Sequence, residues 1–244
     1  MECFRQKGIR KQMLDFGFYN MDCMEGMKEF PDKFFDLAIV DPPYGGGGSP
    51  DAEDAFNGAI VGRFGGTFEK YFDKDKRGHM GGGHAKKYNY GHWDIAPTKE
   101  YFKELFRVSK AQIIWGGNYF ELPPTRCFIV WKKLSISEDF SMAMAEYAWT
   151  SFNENAKVFE CAPQDKNRFH PTQKPVKLYE WILNRYAKPG DVILDTHAGS
   201  ASSLIACHNT NHKYVGFEID QDYYAKAKHR LDQETAQMNI FSFI

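Results

Sequence analysis

Short apolar runs alternate with amphipathic stretches along most of the chain. The clearest run covers residues 34–40 and predicts a short buried strand. Further apolar runs at 16–22, 112–118, 192–195 and 213–217 predict strands of the same kind. Strands that alternate with helices in this way are typical of α/β folds with a mostly parallel sheet.

The intervals between these strands show helical spacing of their apolar residues. The predicted helices cover residues 23–30, 99–108, 172–186, a stretch of small residues ending at 208, and 220–237. Two more strands, at 127–131 and 143–151, are placed to pair as an antiparallel edge, whereas residues 153–170 are polar and irregular. We therefore expect a doubly wound, mixed but mostly parallel sheet with an antiparallel edge strand, in a single domain over residues 1–244.

A long glycine-rich segment at about 45–92 interrupts this pattern. It contains basic residues such as Lys70 and Arg77 and aromatic residues such as Tyr71 and Tyr88. Interleaved cations and aromatic rings suit a nucleic-acid backbone and unstacked bases. A mobile surface lid is the alternative interpretation, because long loops of this kind are usually functional or partly disordered.

The composition excludes several classes of protein. Hydrophobic residues make up 43% of the chain and charged residues 26%, as in soluble globular proteins. No apolar run approaches the roughly 20 residues of a membrane span, and the first residues lack the apolar core of a signal peptide. The five cysteines are scattered without a CxxC pair, which favours reduced thiols. We expect a cytoplasmic protein with no membrane association and no metal site.

Residues 41–44 place a carboxylate, two prolines and an aromatic ring directly after a predicted strand. In open α/β sheets, ligands bind at that edge. The Asp41 carboxylate and the Pro42 carbonyl can each accept a hydrogen bond from one NH2 group, and Tyr44 can stack on a planar ring. Two acceptors on one amine would localise its lone pair and make it more nucleophilic. The motif indicates a pocket for the exocyclic amine of a base, although an ordinary strand-ending turn has a similar composition.

A second constellation lies near the C-terminus. Asp195 ends a predicted strand, a turn with Gly199 follows, and Glu218 ends the next strand. The spacing from Gly199 to Glu218 is close to that between a glycine turn and a ribose-binding acid. A full GxGxxG motif is absent, which disfavours a pyrophosphate and hence NAD or FAD. A nucleoside without phosphates, such as S-adenosylmethionine, fits better; the alternative is a plain βαβ unit with capping acids.

Taken together, these segments resemble the amino-methyltransferases of DNA, in the circularly permuted group whose catalytic motif precedes the cofactor motif. The similar segments are 20–23, 41–44, 113–118, 170–175 and 194–200, with Glu218 after them. The resemblance covers most of residues 18–45 and 97–235. It implies a Rossmann-like methyltransferase fold and transfer of a methyl group from S-adenosylmethionine to the N6 amine of a flipped-out adenine in duplex DNA.

The resemblance also implies roles for individual residues. The expected catalytic residues are Asp41, Pro42 and Tyr44. The expected cofactor-binding residues are Asp22, Thr172, Lys174, Asp195, His197, Gly199, Ser200 and Glu218. The protein would act as a monomer or homodimer, and restriction–modification is a typical setting for the family.

This chain departs from the family pattern in two respects. His197 and Ala201 stand where the turn usually has an aromatic residue and a second glycine, so we expect Ala201 to tighten the cofactor pocket. The family's large target-recognition domain is missing, so recognition would fall to about 45–92 and 133–170. N4-cytosine methylation, methylation of RNA or of a protein amide, and a catalytically silent DNA-binding subunit remain as alternatives. Cytosine-C5 chemistry is disfavoured because no cysteine lies in a suitable loop.

Overall fold

A computed structural model describes residues 13–44, 95–137, 143–163 and 167–241. Within these ranges the chain forms one eight-stranded sheet. The strands are β1 (Gly17–Asn20), β2 (Phe35–Val40), β3 (Ser109–Trp115), β4 (Phe128–Lys133), β5 (Ala145–Thr150), β6 (Lys157–Cys161), β7 (Val192–Asp195) and β8 (Lys213–Glu218). The segment predicted to contact nucleic acid, at about 45–92, lies outside the described residues.

The sheet has the order β1-β8-β7-β2-β3-β5-β4-β6. The five strands from β1 to β3 are parallel, β5 is antiparallel to both β3 and β4, and β6 is parallel to β4. The predicted fold class is confirmed, as is the antiparallel pairing of β4 with β5. The sheet continues beyond that pair to β6, which makes β6 the outermost strand on that side.

The helices fill the connections between the parallel strands. They are α1 (Cys23–Met27), α2 (Lys99–Val108), α3 (Val176–Tyr186), α4 (Ser202–Asn209) and α5 (Gln221–Phe241). Helix α3 begins later than the sequence predicted, because Pro175 has an extended backbone and acts as the N-cap. Strand β6 was not predicted: its two faces are half-exposed, so its residues lack the buried apolar run of the inner strands.

Both faces of the sheet are covered, as a doubly wound fold requires. On one face α3 and α4 pack over β2, β3, β4 and β7, with Trp115, Leu178 and Ile182 in the core. On the other face α1 and α2 pack over β2, β7 and β8, with Leu105 and Phe217 in the core. Among the described residues, no helix combines the length and apolar character needed to cross a membrane.

Candidate active site

Four acidic residues lie at the carboxyl ends of four neighbouring parallel strands. In the order of the sheet they are Asp22 after β1, Glu218 on β8, Asp195 on β7 and Asp41 after β2. Only β7 separates the strands of Glu218 and Asp41, so two strand spacings, about 10 Å, lie between them. The sheet therefore brings the two predicted constellations to one edge.

The Asp41 carboxylate has a partner on each oxygen. The Tyr44 hydroxyl donates a hydrogen bond to Oδ1 over 2.9 Å, and the Lys174 ammonium forms an ion pair with Oδ2. Burial raises the pKa of Asp41, and the Lys174 charge opposes that shift. The Tyr44 ring stacks on Tyr119 at 4.7 Å and packs so tightly on Gly116 that a Cβ there would lie 2.1 Å from the ring.

Lys174 is almost fully buried and also contacts a second carboxylate. Its Nζ lies 3.2 Å from Glu146 Oε2 on β5, and Lys133 Nζ on β4 lies 2.6 Å from Glu146 Oε1. The sequence motif placed Lys174 with the cofactor, whereas in the structure its ammonium pairs with the acid expected to bind the target amine. The two lysines lower the pKa of Glu146 despite its burial.

The glycine turn between β7 and α4 is held from below by Asp195. Its carboxylate accepts hydrogen bonds from the His197 backbone N–H, at 3.0 Å, and from the Ser203 hydroxyl. Burial raises the pKa of Asp195 to about 6. Because each carboxylate oxygen of Asp195 accepts a hydrogen bond from the turn or from α4, Asp195 fixes the orientation of the turn. Burial also lowers the pKa of His197 to about 4, so the ring is neutral near pH 7.

Gly199 has a left-handed backbone (φ +52°), and the His170 ring lies against it. A Cβ at Gly199 would be 3.1 Å from His170 Cε1. The position therefore needs glycine both for its backbone and for the close approach of the ring. Thr172 Oγ1 lies 3.2 Å from His170 Nδ1, a contact within the segment before α3.

Glu218 closes the turn from the neighbouring strand. Its two oxygens accept hydrogen bonds from the backbone N–H groups of Gly199 and Asp220, each at 2.9 Å. Burial raises its pKa to about 7 in spite of these bonds. A carboxylate has about four lone-pair sites, so two acceptor positions remain for a ligand's hydroxyl groups.

A single cleft joins the two constellations. The residues that line it include Asp41 from the catalytic motif, together with Thr172, Lys174, His197, Gly199 and Ser200 from the predicted cofactor set. A neighbouring cavity of about 180 Å³ is lined by Tyr44, Trp131, Lys133, Glu146, Arg168 and Lys174, among others. Thr172, Gln173 and Lys174 line both spaces and so form a wall between them.

Five predicted residues do not line this cleft: Asp22, Pro42, Tyr44, Asp195 and Glu218. Asp22 is exposed, and its side chain caps α1 by accepting a hydrogen bond from the Met24 N–H at 2.7 Å. It lies beside Glu218, because β1 pairs with β8 in the register Asn20–Glu218. Pro42 is buried directly after Asp41.

Ala201 does not line the cleft, contrary to the expectation that it narrows the cofactor pocket. Its backbone is left-handed (φ +59°), and its buried methyl group belongs to a core cluster with Phe18, Leu204 and Ala227. The backbone angle explains why glycine would suit this position, since a left-handed conformation strains other residues. The departure from the family pattern therefore lies in the turn backbone and the core, and Ala201 is not among the residues that line the cleft.

Sequence reasoning missed Glu146, Lys133 and Tyr119. Glu146 and Lys133 belong to β5 and β4, where single charged residues in a strand give no local signal of function. Tyr119 follows the recognised glycine pair after β3, and an aromatic residue shortly after that pair is the signal that could have found it.

Comparison with known proteins finds similarity to DNA methyltransferases. Residues 114–229 match the family model described as DNA methylase, of the N6/N4 type. A 71-residue stretch is 41% identical to Type II methyltransferase M.HpaI of Haemophilus parainfluenzae and covers 29% of this chain and 23% of that protein. A 68-residue stretch is 37% identical to the DNA adenine methyltransferase YhdJ of Escherichia coli K12, with 28% and 23% coverage. The aligned part thus spans about a quarter of each relative.

Two solved structures share the fold over most of their length. The PvuII DNA methyltransferase (cytosine-N4-specific) superposes with a TM-score of 0.57 at 12% identity and covers 93% of both chains. The M1.HpyAVI–SAM complex superposes with a TM-score of 0.50 at 20% identity, over 87% of this chain and 98% of the other. At these identities the likeness concerns the fold.

Proposed function

We propose that the protein transfers a methyl group from S-adenosylmethionine to the N6 amine of adenine in DNA, because residues 114–229 match the DNA methylase family model of the N6/N4 type. The observation that carries the proposal is the shared cleft, in which Asp41 and the turn residues Gly199 and Ser200 line one space. A methyl donor on the turn and an amine at Asp41 would face one another across this space.

The residues around the turn fit such a cofactor. Glu218 has acceptor positions left for two ribose hydroxyls, and Asp22 lies at the adjacent strand end for the adenine side. Thr172, Ser200 and the backbone at Gly199 present polar groups at the cleft for the amino-acid end. Asp195 and His197 keep this wall in place. A neighbour with the same fold, M1.HpyAVI, has been solved in complex with SAM.

The chemistry divides between cofactor and protein. S-adenosylmethionine, when bound, would supply an electrophilic methyl group and leave as a neutral thioether. Asp41 and the Pro42 carbonyl would accept hydrogen bonds from the two amine N–H groups and direct the nitrogen lone pair at the methyl carbon, while Tyr44 would stack on the base. The raised pKa of Asp41 suits it to take the proton that the amine loses. The target base has to leave the duplex to reach this pocket, and the rate gain comes mainly from orientation and electrostatics.

Adenine is the proposed target because position 41 is aspartate, where the N4-cytosine form of the motif has serine. A relative that aligns with part of the chain is named as a DNA adenine methyltransferase. Cytosine N4 is the second candidate, since the same two acceptors would hold that amine.

A tritiated-methyl transfer assay on unmethylated genomic DNA, followed by digestion to nucleosides, tests the proposal. We expect label in N6-methyl-2′-deoxyadenosine for the wild type and at least a hundredfold less for Asp41→Ala, by analogy with removal of one preorganised transition-state contact, which costs about 10²–10³ in rate. The Asp41→Ala variant should still bind S-adenosylhomocysteine. Label on cytosine selects the second candidate, and DNA binding without any transfer indicates a silent subunit.

A further inference from the structure

A series of ion pairs, with acidic and basic side chains in alternation, runs from the candidate catalytic acid to strands β5 and β4. It links Asp41, Lys174, Glu146 and Lys133 through successive ion pairs. The two lysines are only 4% and 8% exposed. The four residues come from β4, β5, the end of β2 and the segment before α3, so only the folded sheet brings them together.

The link between Asp41 and Lys174 poses a problem for catalysis. The amine nitrogen becomes positive as its bond to the methyl carbon forms, and a carboxylate beside it stabilises that charge. An ammonium fully paired with Asp41 would cancel the carboxylate's field at the amine and compete with the amine for its lone pairs. Asp41 therefore acts effectively only if the Lys174 charge is balanced by another group.

Glu146 is placed to balance that charge. Its Oε2 lies 3.2 Å from Lys174 Nζ, within ion-pair distance already, and its Oε1 is fixed by Lys133 at 2.6 Å. A lysine ammonium has three N–H donors on a flexible side chain. A small rotation of the Lys174 side chain would therefore transfer its shorter ion pair from Asp41 to Glu146. The 180 Å³ cavity borders Tyr44, Lys174 and Glu146, which leaves space next to this exchange.

We propose that Glu146 is a positioning residue that acts through Lys174: it takes over the Lys174 ammonium when the target amine binds Asp41. This inference rests on the proposed function. Lys133 holds Glu146 in place for that exchange. If the ion pair were purely structural, its removal would change only the stability of the protein. If Glu146 has the proposed role, its removal also changes the binding and the reaction rate of the target amine.

The first test is the rate of methyl transfer by Glu146→Gln under saturating cofactor and DNA. Glutamine keeps the shape but leaves Lys174 on Asp41, so we expect the rate to fall about tenfold or more, the range of one missing charge-assisted hydrogen bond. Glu146→Asp should recover part of the rate, and affinity for S-adenosylhomocysteine should stay within about twofold of the wild type. Glu160→Gln is the matched control, because Glu160 pairs with Lys132 on the exposed side of β4 and β6 at 2.8 Å.

The second test measures amine binding without turnover. Once the methylated site is mapped by sequencing, two duplexes are compared in the presence of S-adenosylhomocysteine, one with adenine and one with purine, which lacks the amine, at the target. The wild type should prefer adenine, and Glu146→Gln should lose most of that preference. The double variant Glu146→Gln/Lys174→Met, which removes both charges, should regain part of it.

The outcomes separate the two proposals. If the wild type methylates adenine and Glu146→Gln keeps both its rate and its preference for adenine, the role of Glu146 is wrong and the proposed function stands. If the wild type transfers no methyl group to adenine, the proposed function fails and this inference fails with it. Should Glu146→Gln unfold, Glu146→Asp and the double variant decide the question, since a structural role predicts no gain from removing Lys174.

Discussion

At the scale of single residues, the two key carboxylates of the site differ in their partners. Glu218 accepts hydrogen bonds from two backbone N–H groups, and burial raises its pKa to about 7. Asp41 shares an ammonium with Glu146 and accepts a hydrogen bond from the Tyr44 hydroxyl. Cofactor binding and methyl transfer should therefore respond to different changes.

The pKa of Glu218 predicts how cofactor affinity depends on pH. Ribose hydroxyls donate hydrogen bonds to the ionised carboxylate, so binding favours the deprotonated form. Below pH 7 the free protein is protonated at Glu218 and must release that proton, so affinity should fall by up to about tenfold per pH unit. Titration calorimetry with S-adenosylhomocysteine between about pH 6 and 8.5 measures this. In Glu218→Gln the affinity for S-adenosylhomocysteine should be lower and independent of pH. An affinity that does not change with pH in the wild type would contradict the prediction.

Tyr44 allows its ring and its hydroxyl to be tested separately. Tyr44→Phe removes the hydrogen bond to Asp41 and keeps the ring, so kcat/KM should fall several-fold, the usual cost of about one hydrogen bond. Tyr44→Ala also removes the stacking surface, worth about 1–3 kcal/mol per base, and should cost at least tenfold more. Steady-state kinetics on methylatable DNA decides between them. Equal reductions in the two variants would show that the ring contributes nothing to base binding.

At the scale of elements, the unit β7–turn–α4 carries the cofactor half of the site. Asp195 and Glu218 hold the turn from two strands, and His170 packs on Gly199 from the segment before α3. The turn is thus fixed from three directions, and its backbone angles cannot relax independently of its neighbours.

Gly199→Ala should therefore damage both stability and cofactor binding. A left-handed alanine costs about 1–2 kcal/mol, and its Cβ would also press on the His170 ring. Gly190→Ala is the matched control, because its backbone is also at positive φ (+92°) but its Cβ would meet nothing within 4 Å. Chemical denaturation should show reduced stability for both variants, while only Gly199→Ala should bind S-adenosylhomocysteine more weakly. Similar affinity in both would mean that the turn tolerates the added Cβ.

At the scale of the whole molecule, the net charge gives no attraction to DNA, whereas one segment of the chain is locally basic. The chain carries a formal charge of −1, so attraction to DNA has to come from local basic groups. The segment at about 45–92 begins directly after the catalytic motif and is rich in lysine and aromatic residues. We propose that this segment supplies much of the affinity for DNA.

Salt dependence of DNA binding tests that proposal. Replacing Lys70, Lys74, Lys76 and Arg77 by glutamine should weaken binding to all sequences. The slope of log K against log salt should become shallower by about 0.9 for each phosphate that the variant no longer neutralises. Lys28→Gln, at an exposed site on the C-terminal side of α1, should leave the slope unchanged. Fluorescence anisotropy at several salt concentrations measures it, and an unaltered slope in the fourfold variant would rule out the segment as a phosphate-binding element.

The sequence by itself determined most of the helices and strands and their order along the chain, although not β6. Apolar runs such as 34–40 and 192–195 are long enough to mark buried strands, and the acids that follow them fall at the ligand-binding edge of any parallel sheet. The left-handed glycine turn and its spacing to Glu218 are equally local. For these features the physical cause lies within about 20 residues of chain, so the pattern alone sufficed.

The tertiary structure decided which side chains meet. Asp41 and Lys174 are 133 positions apart, and Glu146 joins them only because β5 turns antiparallel beside β3 and β4. The methyl of Ala201 points into the core, and β6 extends the sheet beyond the predicted edge, for the same reason. Burial and strand pairing across the sheet set these contacts, and neither leaves a periodic signal in the local sequence.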